Sequence, residues 1–124
     1  MAEELEERQG KAVHMLDAGE YKLRQGVLEL IAGIALNSVE GASGVALRGE
    51  PGEEGRRKKN FTKGIKVSHS EGRVTLDLEV HMDYGLDFHA VGAEVQRRVK
   101  EAVESMTGWP VEAVNVDVVG VNAV

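Results

Sequence analysis

From Arg73 to Tyr84 the sequence reads R-V-T-L-D-L-E-V-H-M-D-Y, and polar and apolar residues alternate without a break. Successive side chains of a strand point to opposite faces, so this run defines one long strand. Val74, Leu76, Leu78, Val80, Met82 and Tyr84 share an apolar face; Arg73, Thr75, Asp77, Glu79, His81 and Asp83 share a polar one. Burying each apolar member contributes about 1.5–3 kcal/mol before the entropy of ordering it is subtracted. No other segment offers a comparable nucleus, and the rest of the chain reads as packing against it.

The preceding segment, Gly64–Ser70, alternates in the same way and predicts a hairpin across Glu71-Gly72. A two-residue loop sets Ser70 opposite Arg73, Val67 opposite Leu76, Ile65 opposite Leu78 and Lys66 opposite Asp77, so every pair agrees about its face. A three-residue loop would set apolar against polar throughout, and the pattern itself picks the register.

Two helices follow from helical spacing. The first covers about Gly26–Val39, with Val27, Ile31, Ile34, Ala35 and Ser38 on one face and Leu30 and Ala32 broadening it. Gly33 inside it sacrifices about 1 kcal/mol of helix propensity, which is explained if another backbone approaches closely there. The second covers Phe88–Thr107, with Asp87 as N-cap, a core stripe of Val91, Val95, Val99, Ala102, Val103 and Met106, and Gly108 and Pro110 closing it. Glu94 with Arg98, and Lys100 with Glu104, are spaced for surface pairing.

Short strands are expected at Glu20–Arg24 and Val45–Leu47, and a last strand at Val111–Val119. Residues 1–19 show no sustained period and read as a flexible tail; residues 48–60 read as a charged surface loop. The expected fold is a single α+β domain over residues 20–121. Its order is (β)αββαβ, with two helices on one face of a mixed or antiparallel sheet, nearest to a ferredoxin-like arrangement.

Composition narrows the function. The 124 residues include no cysteine, which removes disulfides, thiolate nucleophiles and zinc–sulfur sites. The acidic start M-A-E-E-L-E-E is the reverse of a signal peptide, and no run approaches the ~18 apolar residues of a membrane-spanning helix. These features predict a cytoplasmic protein, at the membrane only when a partner recruits it. A net charge of −6 argues against a general nucleic-acid binder.

Asp77, Glu79, His81 and Asp83 lie on one strand face, with Lys66 opposite. Successive same-face side chains are about 6–7 Å apart, too far to close a metal cage unaided. The face therefore reads as an exposed or intersubunit polar surface, partly neutralised by Lys66 and Arg73. The second candidate is the basic loop Arg56, Arg57, Lys58, Lys59 with Phe61, whose cations suit phosphates and whose ring suits stacking on a base. RNA is its first alternative partner and anionic lipid another. Gly41-Ala42-Ser43-Gly44 adds a weak G-x-x-G signal. His14, His69, His81 and His89 are scattered, and no catalytic set, cofactor site or small-molecule substrate is expected.

The chain resembles the alkaline-shock protein family of Gram-positive bacteria over about residues 20–121. The resemblance rests on V-L-E-L-I-A-G-I-A-L-N-S-V-E-G-A-S-G-V at Val27–Val45, K-N-F-T-K-G-I-K-V at Lys59–Val67 and D-Y-G at Asp83–Gly85. E-A-V-E-S-M-T-G and V-N-V-D-V-V-G-V complete it. It implies a protein without enzymatic chemistry, concerned with cell-envelope stress and homeostasis. It also implies self-association, and for some members recruitment beneath the membrane by a membrane-anchored relative. The expected function is a scaffold or adaptor, with an RNA-binding module as the alternative.

Overall fold

The computed structural model describes the backbone of residues 11–16 and 19–21 and the complete residues 22–45 and 61–123. The organising strand is β5 below, and its neighbours are numbered in chain order. They are β1 (Lys11–Leu16), β2 (Gly19–Arg24), α1 (Gln25–Asn37), β3 (Ala42–Gly44), β4 (Ile65–Ser70), β5 (Arg73–Asp83), α2 (Phe88–Thr107) and β6 (Val111–Asn122).

β5 alternates as its sequence dictates. Val74, Leu76, Leu78, Val80 and Met82 are all buried, each at 1% exposure or less, and the intervening residues face the other side. Tyr84 is the exception. The strand ends at Asp83, the chain turns at Gly85 with φ +95, and the Tyr84 ring is 77% exposed.

The β4–β5 hairpin has the register that the facing pattern requires, from Ile65 opposite Leu78 to Ser70 opposite Arg73. Both loop residues, Glu71 and Gly72, have positive φ (54 and 76), the twist of a two-residue primed turn that matches right-handed strands.

β6 runs parallel to β5 along its other edge, pairing Leu76 with Val114, Leu78 with Val116 and Val80 with Val118. The strand extends past the expected Val119 to Asn122, with a register shift between Val80 and His81. β3 pairs antiparallel with Val80–Met82 of β5. Because β6 occupies one whole edge of β5, β3 and β4 lie end to end along the opposite edge. Gly64 sits at their junction, where its carbonyl accepts from Glu79 N at 2.9 Å. The short strand thus falls at Ala42–Gly44 rather than Val45–Leu47. Gly41 (φ +95) turns the chain back straight after α1, while Val45 is already in a turn and 46–47 lie outside the described residues. The sheet is mixed, with β5 at its centre, and the domain is α+β.

Both helices cover the apolar face of β5. In α1 the buried residues are Leu28, Ala32, Gly33 and Leu36, whereas Val27 and Ile34 are 41% and 51% exposed. The expected stripe is therefore rotated. α1 is apolar almost all round, so its period does not select a face; the close approach at Gly33 does. A Cβ there would run into the carbonyl of Phe61, so the glycine admits a neighbouring backbone.

In α2 the buried ridge is Val95, Val99, Val103 and Thr107, spaced by four, and Met106 lies off it at 70% exposure. The Asp87 side chain caps the helix, accepting from His89 N at 3.0 Å and Ala90 N at 3.3 Å. Gly108 closes it in the left-handed conformation. The Glu94–Arg98 and Lys100–Glu104 pairs form at 2.8 and 3.0 Å.

The start of the chain departs from the expected tail. Lys11–Leu16 forms a strand that pairs antiparallel with β2, from Lys11 opposite Arg24 to Leu16 opposite Gly19. This hairpin is a two-stranded sheet separate from the main one.

Candidate functional site

The polar side chains of β5 stand on the sheet face away from the helices, and the structure brings Asp77, Glu79, His81 and Asp83 together there. β4 contributes Lys66, opposite Asp77. The other wall comes from β6, which sequence reasoning left out because the strand order was open. Asn115, Asp117 and Gly120 lie opposite Asp77, Glu79 and His81. The V-N-V-D-V alternation of β6 marks Asn115 and Asp117 as a polar face; only the parallel pairing shows which acids they meet.

The four polar positions of β5 have different surroundings. The Asp77 carboxylate accepts from Asn115 Nδ2 at 2.8 Å, and Asp83 accepts from Asn122 Nδ2 at 2.9 Å. His81 lies over Gly120, where a Cβ would come within 2.5 Å of the imidazole Cδ2. His81 Nδ1 is buried with no hydrogen-bond partner among the described residues. Glu79 differs again: one neighbour is Gly64 and the other is Asp117, a second carboxylate directly opposite.

Between Lys66, Asp77, Glu79, Asn115 and Asp117 lies an open depression of about 450 Å³. Its floor is sheet backbone and its rim is mainly acidic, a surface suited to basic side chains of a partner. Among the described residues no group of three or more His, Cys, Asp or Glu side chains is arranged to hold a metal ion.

Arg56, Arg57, Lys58 and Lys59 lie outside the described residues. Phe61 is half-buried, and its carbonyl is the group against which Gly33 is fitted. His69 lies opposite Val74, with its ring 6.1 Å from that of Trp109, in the packing between β4 and the start of β6. No helix among the described residues is long and apolar enough to cross a membrane.

With the sheet and its acidic face in place, comparison with known proteins defines the chain's relatives. It is similar to the uncharacterized protein Spy1535 of Streptococcus pyogenes, with 36% identity over 85% of this chain and 81% of the relative. Two Bacillus subtilis proteins, the uncharacterized YqhY and YloU, are each 29% identical over 83% of this chain, covering 77% and 88% of their own lengths. No solved structure matches the chain significantly. The profile of the alkaline-shock protein family, described as having a cell envelope-related function, matches residues 14–123. The α+β sheet, its capped second helix and this near-complete match lead to one conclusion: the chain belongs to the alkaline-shock protein family, with a cell envelope-related function.

Proposed function

We propose that this protein is a non-enzymatic scaffold or adaptor of the cell envelope, acting by self-association and by protein contacts through the acidic face of its sheet. It works from the cytoplasmic side, brought beneath the membrane by a membrane-anchored partner. The observation that carries this reading is the Glu79–Asp117 pair. Two carboxylates on neighbouring strands of an open face concentrate negative charge there, and a cationic group of a partner placed between them would pair with both. Asp77 and Asp83 extend the acidic strip on either side. The run Arg56–Lys59 shows that a second copy of this chain carries a suitable cationic segment.

The test is light scattering after size-exclusion chromatography, over a range of protein and salt concentrations, comparing the wild-type chain with the double variant Asp77→Lys/Glu79→Lys. Reversing these charges is expected to shrink the assembly. An assembly of unchanged size would remove this face from the contact.

A further inference from the structure

The main sheet ends in an unusual edge. β6 has the sequence V-E-A-V-N-V-D-V-V-G-V-N, without a lysine, an arginine or a proline. One side of it pairs with β5, and the other is unpaired among the described residues. Val118, Val119 and Val121 are 38%, 47% and 51% exposed, and exposed Tyr84 adjoins them through its bond to Asn122. Soluble proteins usually blunt or cover such an edge, because its free N–H and C=O groups attract another strand.

The β1–β2 hairpin has the complementary deficiency. A lone two-stranded hairpin is marginal in water and needs a third strand or a packed face. Among its described side chains, Leu23 rests partly buried against the core. Among the described residues β1 has one unpaired edge.

The two edges match in polarity as well as in backbone need. By register and sequence, Lys11, Val13, Met15, Glu20, Lys22 and Arg24 fall on one face of the hairpin, and Ala12, His14, Leu16, Gly19, Tyr21 and Leu23 on the other. The first set has a net basic sequence, Lys11, Lys22 and Arg24 against Glu20, and the second is largely apolar. β6 is amphipathic in the same sense. Asn115 and Asp117 lie on the acidic outer face, and Val116 and Val118 lie on the helix side. A two-fold pairing of β6 with its own copy would instead leave the hairpins unsupported.

We infer that the β1–β2 hairpin of one copy adds to the free β6 edge of the next. Its basic face meets the acidic outer face of the sheet, and its apolar face covers Val116, Val118 and the exposed Val121. This inference rests on the self-association reading and names its contact. Each copy offers one hairpin and one edge, so the contact is head-to-tail and builds a closed ring or an open chain of copies, not a two-fold dimer.

The native chain has no cysteine, so single cysteines report contacts cleanly. Full-length Ala12→Cys and Val118→Cys proteins are mixed in equal amounts. They are treated with a short bismaleimide that tolerates small shifts of register, and light scattering runs in parallel. The expected result is an oligomer whose mixed cross-link exceeds either same-residue cross-link several-fold. An oligomer with mainly Val118–Val118 or Ala12–Ala12 cross-links, or with none, overturns the hairpin-to-edge contact while self-association stands. A monomer at every concentration overturns both.

Discussion

Gly33 shows how a single residue governs the packing of α1. A glycine inside a helix sacrifices about 1 kcal/mol relative to alanine, yet a Cβ here would occupy the position of the Phe61 carbonyl. Backbone cannot rotate out of the way as a side chain can, so Gly33→Ala forces α1 away from the chain at Phe61. Overpacking of this kind destabilises by about 1–3 kcal/mol, which outweighs the gain in helix propensity. Urea unfolding is expected to show a net loss of about 1–2 kcal/mol for Gly33→Ala. A gain in stability would mean that the contact yields easily. The sequence announced this contact through an unexplained glycine in an apolar helix. It could not name Phe61, which lies far along the chain.

At the scale of elements, the link from α2 to β6 depends on Glu104. Its carboxylate accepts from Val111 N at 2.8 Å and from Lys100 Nζ at 3.0 Å, joining the last turn of the helix to the first residue of the strand. The hydrogen bond from the Val111 amide, then that from Lys100, holds its pKa below the ordinary glutamate value. A folded pKa below the unfolded one means that the folded state binds the proton less readily. The stabilisation is therefore complete above the unfolded value and is lost as pH falls through the lowered folded value. Glu104→Gln keeps an acceptor for Val111 but removes the charge. Its urea midpoint should fall less steeply on acidification than that of the wild type; an unchanged acid slope would assign the sensitivity to other carboxylates. The Lys100–Glu104 spacing is visible in the sequence. The bond to Val111 exists only because Gly108 turns the chain back.

For the whole molecule, the acidic face sets stability against contact. If Glu79 and Asp117 repel each other in the free chain, Asp117→Asn should raise monomer stability by about 0.2–1 kcal/mol. The same substitution should weaken assembly, since it removes a carboxylate from the docking face. Denaturant unfolding at low concentration and light scattering at high concentration measure the two effects separately. A variant no more stable than the wild type would show that solvent already screens the pair. Gains in stability that weaken function are common where a surface is kept for binding.

The sequence by itself determined the elements whose signals are local: the alternation of β5, the register of its hairpin with β4, and the Asp87 and Gly108 ends of α2. Side-chain period and turn chemistry act over a few residues and need no knowledge of the rest of the chain. It also placed Asp77, Glu79, His81 and Asp83 on one face, because a strand can do nothing else with that pattern. Tertiary structure alone decided which side of α1 is buried, where β3 pairs, that Lys11–Leu16 forms a strand, and that Asp117 stands opposite Glu79. All but the Lys11–Leu16 strand, whose partner Gly19–Arg24 follows at once, depend on a partner distant in sequence. A helix apolar almost all round, a three-residue strand and a parallel crossover carry no local mark of the neighbour they will meet.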